Sequence, residues 1–186
     1  MSELELDPAL LTTLQTLEAH DVEFVLIGDV ADAIYNHGGF VSGIAIVPGA
    51  YARNVERLTN ALDALNAELG IAGVVDNRGI DYRRTDMRDL APCTFITSHA
   101  DVDVNFEPAG TTGYRDLFDE ARRIALAPAV APLVAAPEDL ERIGRGGGSV
   151  MEPAQAPAVL PPEPPNDGSL WHEDDFRASR GRATRT

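Results

Sequence analysis

Short apolar segments separated by glycine and polar residues set the pattern of the first quarter of the chain. An apolar run of strand length, Glu23 to Ile27, is followed by a Gly28-Asp29 turn and by apolar positions with helical spacing at residues 30–34. Gly38-Gly39 then breaks the chain, and a second apolar run extends from Ile44 to Val47. The pattern predicts a strand, a turn, a short helix and a second strand.

Two other segments have apolar residues at the three- and four-residue spacing of a helix. The first begins at Asp7-Pro8, where aspartate is a good N-cap and proline is favoured at the first helical position. The second follows Pro48-Gly49, and Gly70 stands where its C-terminal cap is expected. The apolar stripes are Leu10, Leu14 and Leu17 in the first helix and Val55, Leu58, Leu62, Leu65 and Leu69 in the second.

Two further strands, Cys93 to Thr97 and Ala100 to Phe106, are predicted on either side of a tight turn at Ser98-His99. Polar residues occupy every second position of the second strand, so they share one face. These polar residues are Asp101, Asp103 and Asn105. The row is either a set of ligands or the ordinary polar face of a half-exposed strand.

The last predicted elements are a helix after Gly110 to Gly113, a strand at Val130 to Ala135 and a helix start at Pro137. The predicted core stripe of the first of these helices is Tyr114, Leu117, Phe118 and Ala121. Strands and helices together predict an α/β (α+β) fold with a mixed sheet and helices mainly on one face. Its neighbouring central strands are expected to be residues 23–27, 44–47 and 100–106.

Composition divides the 186 residues into a domain, 1–143, and a tail, 144–186, rich in glycine, proline and charge. The tail contains Gly146 to Gly148 and a proline-rich run from Pro153 to Pro165, so we expect it to be disordered. Trp171 and Phe176 are its isolated aromatic residues. They are candidate anchors for a protein partner, the alternative being that the tail is only a spacer.

The formal net charge is −15, and the chain contains arginine but no lysine. An acidic protein repels phosphates, which argues against broad nonspecific binding to nucleic acid, although Arg83, Arg84 and Arg88 form a possible local basic patch. The single cysteine, Cys93, excludes an internal disulfide. The sequence shows no secretory signal and no apolar run of membrane-spanning length, so we expect a cytoplasmic protein without membrane contact.

The segment from residue 26 to residue 47 resembles the nucleotidyltransferase fold, in particular minimal bacterial nucleotidyltransferases and AbiEii-type toxin proteins. The residues that carry the resemblance are Leu26-Ile27-Gly28, Val30-Ala31, Ala33-Ile34 and Ile44-x-Ile46-Val47. Members of this family place nucleotide phosphates at the turn that corresponds to Gly28-Asp29. The resemblance implies the same mixed sheet and extends over residues 10–143.

The catalytic part of the family pattern is broken in this chain. The family carries Asp-x-Asp on its second strand, where this sequence has Gly43 and Ala45. Paired carboxylates on one strand face hold the two Mg²⁺ ions that activate a hydroxyl and neutralise a triphosphate. By the resemblance Asp103 corresponds to the third catalytic aspartate, with Asp101 as a possible second metal ligand. A lysine that helps to hold phosphates in relatives is Gly144 here.

Three hypotheses follow from the resemblance and from its departures. The first, which the missing aspartates favour, is a pseudoenzyme that binds a partner or a nucleotide, in a toxin–antitoxin or phage-related setting. The second is an active enzyme that moves a nucleoside monophosphate from an NTP to an RNA, protein or small-molecule hydroxyl. It would need Mg²⁺ held by a rearranged set such as Asp29, Asp101 and Asp103. The third is a non-catalytic adaptor whose tail recognises the partner. Convergence of those three carboxylates would favour the enzyme.

Overall fold

The computed structural model of the chain describes residues 6–36, 38, 41, 43–71, 74, 75 and 80–146. Its helices are α1 (Pro8–Ala19), α2 (Gly28–Asn36), α3 (Ala52–Ala64), α4 (Met87–Leu90), α5 (Tyr114–Phe118) and α6 (Pro137–Gly146). Its strands are β1 (Phe24–Ile27), β2 (Ile44–Pro48), β3 (Glu68–Ile71), β4 (Val74–Val75), β5 (Cys93–Ile96), β6 (Val102–Val104), β7 (Arg122–Arg123) and β8 (Leu133–Val134).

The strands form one mixed sheet in the order β4-β3-β5-β6-β2-β1-β8-β7. The central strand β2 is antiparallel to β1 and parallel to β6, with Ala45 opposite Ile27 on one side and opposite Asp103 on the other. Strand β8 continues the sheet beyond β1 in the parallel direction. The predicted α+β fold is therefore confirmed, including the neighbouring central strands β1, β2 and β6.

Alternate residues of β1 face two separate apolar cores. Phe24 and Leu26 belong to the larger core, which also contains buried leucines of α1 and α3. Val25 and Ile27 belong to the smaller one, with Leu117 of α5. Helices therefore flank both faces of the sheet, whereas the sequence predicted helices mainly on one face. The helix at Tyr114 was predicted, but the side of the sheet that it covers was not. Spacing along the chain shows which residues a helix buries and does not show the sheet face against which it packs.

The predicted end of the long helix at Gly70 is wrong. Helix α3 ends at Ala64, Leu65 is its C-cap, and β3 begins only three residues later at Glu68. Gly70 lies in β3 opposite Thr94, where an added Cβ would meet the Ile96 Cγ1 atom at 2.9 Å. Gly70 is needed for close packing against the neighbouring strand and does not cap the helix. Leu69 fits the helical stripe and is equally suited to a buried strand position, which is why spacing misplaced the boundary.

The other boundaries differ from the sequence predictions by a few residues. Strands β5 and β6 pair antiparallel around the predicted turn, although both are shorter than predicted. Helix α6 continues to Gly146 and so passes the predicted domain boundary at residue 144. The rest of the tail, with Trp171 and Phe176, lies outside the described residues.

A fully buried polar side chain, that of Asn54 on α3, connects the helix to the ends of β1 and β2. Its Oδ1 atom accepts from the Glu23 backbone N–H at 2.7 Å, and its Nδ2 atom donates to the carbonyls of Glu23 at 2.8 Å and Gly49 at 2.9 Å. A buried amide with its hydrogen bonds satisfied stabilises the packing, whereas the same groups left without partners would be strongly destabilising. Asn54 therefore fixes the position of α3 on the sheet.

We predict that Asn54→Asp lowers the free energy of unfolding by about 3 kcal/mol, because a buried carboxylate replaces the donor to two carbonyls. Urea unfolding followed by far-ultraviolet circular dichroism measures the change. Asn60→Asp is the matched control, since Asn60 is an exposed residue of the same helix, and we expect a change within about 0.5 kcal/mol. Equal stability of the two variants would show that the Asn54 hydrogen bonds do not hold the helix.

Candidate functional site

The candidate site is built where β1 ends and α2 begins. Gly28 has a φ of +68°, a conformation that favours glycine, and α2 starts at this residue without an intervening turn. A Cβ added at Gly28 would lie 3.1 Å from the Cβ atom of Ala45 on β2. The chain reversal at Gly28 is thus packed closely against Ala45, the second of the two positions that carry aspartate in the family.

Asp103 lies beside Ala45 on the neighbouring strand β6, and its residue is exposed. The Thr94 hydroxyl of β5 donates to Asp103 Oδ1 across the antiparallel pair. Ala45, Asp103 and Thr94 share the sheet face opposite the larger core, since their strand neighbours point into that core. Ala45 thus packs against Gly28 and is paired with Asp103. Thr94 was not recognised from the sequence, although its alternation with buried Phe95 placed it on the same face.

Gly43 packs against the residue that precedes β6. The Ile44 backbone N–H donates to the Asp101 carbonyl at 2.8 Å, which extends the parallel pairing of β2 and β6. A Cβ added at Gly43 would lie 3.1 Å from the same carbonyl oxygen, a tight contact. The Asp101 Oδ1 atom accepts from the Thr97 backbone N–H at 3.4 Å, so this carboxylate faces the β5–β6 turn. Asn105 lies past the other end of β6, with its Oδ1 atom accepting from the Glu107 N–H at 3.2 Å.

Asp29 lies in the first turn of α2, where a carboxylate interacts favourably with the helix dipole. Partial burial, followed by the charge of Asp29, raises the pKa of Asp32 one turn later. The two carboxylates concentrate negative charge at the start of α2. Such an arrangement opposes the binding of phosphates at Gly28, where the resemblance places them.

These residues do not fit the two Mg²⁺ ions of the family. Gly43 and Ala45 provide no side-chain oxygen, and both Asp101 and Asp103 accept hydrogen bonds from β5 or from the turn that follows it. Within residues 6–36, 43–71 and 80–146, no group of three or more histidine, cysteine, aspartate or glutamate residues is arranged to hold a metal ion. The set Asp29, Asp101 and Asp103 is accordingly not assembled as a metal site.

Cys93, the single cysteine of the chain, lies on β5. Burial, and then the charge of Asp103, raise the pKa of its thiol to about 11. The thiolate is the reactive form of cysteine, so at neutral pH Cys93 is an inert core residue. Its partial burial against the larger core agrees with this role.

The possible basic patch of Arg83, Arg84 and Arg88 lies between α3 and residues 82–88. Each of its arginines is paired: Arg83 Nε is 2.5 Å from Asp63 Oδ1, and Arg84 Nε is 3.5 Å from Asp81 Oδ2. Arg88 Nε donates to Asp86 Oδ1 at 2.8 Å. A groove of about 520 Å³ runs between these residues and α3. Because the arginines are matched by aspartates, the patch offers little net positive charge to a phosphate backbone.

No protein-family model matches this chain, and the curated proteins contain no sequence similar to it. In the described part of the chain, no helix combines the length and the apolar composition needed to cross a lipid bilayer. The nucleotidyltransferase resemblance thus depends on the residue pattern alone.

We predict that Ala45→Asp creates a divalent-cation response. The new carboxylate stands opposite Asp103, and like-charge repulsion should lower the stability by about 1 kcal/mol in EDTA. Millimolar Mn²⁺ should restore the melting temperature, because the cation bridges the pair. Ala45→Asn is the isosteric neutral control and should show no response. A rise of the wild-type melting temperature in Mn²⁺ as large as that of Ala45→Asp would show that a metal site already exists.

Proposed function

We propose that this chain is a nucleotidyltransferase-like pseudoenzyme that acts by binding a partner and does not transfer a nucleotidyl group. The proposal rests on the position of Ala45. This apolar residue lies between Gly28 and Asp103, where the family that the sequence resembles has a metal-binding aspartate. A methyl group cannot coordinate Mg²⁺, and Asp103 alone cannot hold two ions. Without the ions, neither activation of a hydroxyl nor neutralisation of a triphosphate is provided.

Electrostatics favour a protein over a nucleotide as the bound species. A triphosphate at Gly28 would approach Asp29 and Asp103 without metal ions to screen the repulsion. The net charge of −15 adds to this effect at longer range. On the resemblance alone, the setting that we propose is a toxin–antitoxin or phage-related system. Trp171 and Phe176 of the tail stay candidate anchors for the partner.

The competing function is nucleotidyl transfer through a rearranged site, for which the exposed Asp103 is the specific observation. We predict no labelled product when the full chain is incubated with each labelled NTP, pooled RNA and protein acceptors, and either Mg²⁺ or Mn²⁺. The reason is that the site lacks the two carboxylates of the Asp-x-Asp pair, where this chain has Gly43 and Ala45.

The assay needs an active nucleotidyltransferase as positive control and Asp103→Ala as the matched variant. Product from the wild-type chain that is lost in Asp103→Ala would overturn the pseudoenzyme proposal and assign catalysis to a rebuilt site. Product that persists in Asp103→Ala would indicate a contaminating enzyme, and the absence of product from both proteins is the expected result.

A further inference from the structure

A second concave region lies at the opposite end of β1 from Gly28. It is a cavity of about 220 Å³ between the end of α1, the start of β1, helix α5 and strands β7 and β8. Its walls include Glu23, Phe24, Tyr114, Phe118 and Arg123. Because β1 separates this cavity from Ala45, it is independent of the candidate site described above.

An exposed aromatic residue, Phe118, lines this cavity. Its exposed fraction is 47%, although the helical pattern placed it in the core. The rings of Phe118 and Tyr114 lie 5.5 Å apart at an angle of 40°. Phe118 faces outward because α5 buries Leu117 against β1 and ends immediately afterwards. Exposed aromatic side chains next to a cavity are typical of binding surfaces.

Glu23 lines the cavity together with Tyr114 and Phe118. Its side chain is 49% exposed. Burial, and then the charge of Glu23, raise the pKa of Tyr114. Partial burial, and then the Glu23 carboxylate, raise the pKa of Tyr51 to about 12.

The two arginines near Glu23 form no hydrogen bond with its carboxylate, so the carboxylate can accept further hydrogen bonds. Arg57 Nη1 is 3.6 Å from Glu23 Oε1, beyond hydrogen-bond distance, and the same nitrogen donates to the Asp21 carbonyl at 3.0 Å. Arg123 donates to the Ala131 carbonyl at 2.7 Å and lies 3.8 Å from Glu18 Oε1. Its charge is thus directed towards Glu18.

We propose that the cavity formed by Glu23, Tyr114 and Phe118 receives an arginine side chain from a basic segment of a partner protein. A guanidinium group stacks on aromatic rings and forms paired hydrogen bonds with a carboxylate, and this cavity provides both groups. The adjoining groove is lined by three carboxylates, those of Glu18, Asp21 and Glu23, and by Arg57 and Arg123, so one negative charge is left in excess. The net charge of −15 favours a basic partner at long range.

The size of the cavity favours a side chain over a free metabolite. Its volume of about 220 Å³ is below the roughly 300–1,000 Å³ of typical small-molecule sites. The adjoining groove is shallow and open, a shape suited to an extended segment. A partner segment with two cationic side chains would place one arginine in the cavity and the second cation in the adjoining groove.

The test is an NMR titration of the ¹⁵N-labelled full chain with two matched amides. Nα-acetyl-arginine amide should shift the amide signals of Glu23, Phe24, Tyr114 and Phe118 in a saturable manner. Nα-acetyl-citrulline amide has nearly the same shape without the charge and should not shift them. The peptide acetyl-Ser-Gly-Arg-Gly-Arg-Gly-Ser-amide should bind at least about fivefold more tightly than the single amide, since its second arginine reaches the groove.

Two variants and a control assign the binding to the cavity. Phe118→Ala and Glu23→Gln should each weaken peptide binding by about fivefold. Both side chains are about half exposed, and the Asn54 hydrogen bonds use only the Glu23 backbone. Glu56→Gln removes the same charge from an exposed position of α3 and should leave the affinity unchanged.

Several results would overturn the proposal. Equal shifts with the citrulline amide would show that the cavity recognises polar groups in general and not the guanidinium charge. Weakening by Glu56→Gln as large as that by Glu23→Gln would show that the peptide responds only to the overall negative charge of the protein. Equal affinity for the single amide and the peptide would indicate a site for a small cation and exclude docking of a segment. None of these results bears on nucleotidyl transfer, because no variant touches Gly28, Ala45 or Asp103.

Discussion

The buried amide of Asn54 is the interaction on which the arrangement of this domain depends. It joins α3 to the start of β1 and to the end of β2 through three hydrogen bonds to backbone groups. The Gly49 N–H adds a fourth bond to the Glu23 carbonyl, at 2.9 Å. Burying these polar groups is tolerable only because each has a partner, so the amide specifies one position of the helix on the sheet.

Both regions that we connect with function lie at the ends of the strand that Asn54 anchors. At one end, Gly28 reverses the chain against Ala45, which is paired with Asp103 on the neighbouring strand. At the other end, the backbone of Glu23 is held by Asn54, and Glu23 and Tyr114 line the same cavity. The four-residue strand β1 thus separates Gly28 and Ala45 from the aromatic cavity.

The difference between the two regions is chemical as well as spatial. Around Ala45 the carboxylates are fixed by hydrogen bonds and lack the partners that a metal pair requires. Around Glu23 a carboxylate stands among aromatic rings with acceptor capacity remaining. A carboxylate beside aromatic rings is suited to binding a cation, whereas carboxylates at the start of a helix oppose the binding of phosphates.

The sequence by itself determined the elements with strong local signals. The apolar runs at 23–27, 44–47 and 100–106, and the aspartate-proline start of α1, predicted the central strands and the first helix, because alternation and capping are local properties. Only the tertiary structure decided that Gly70 packs against Ile96 in a strand and that Phe118 faces outward on a second helical layer. It also decided that Ala45 packs against Gly28 beside Asp103, that Thr94 donates to Asp103, and that Glu23 lines a cavity with Tyr114. These contacts join residues far apart in the chain, and spacing along a sequence carries no information about partners across a sheet.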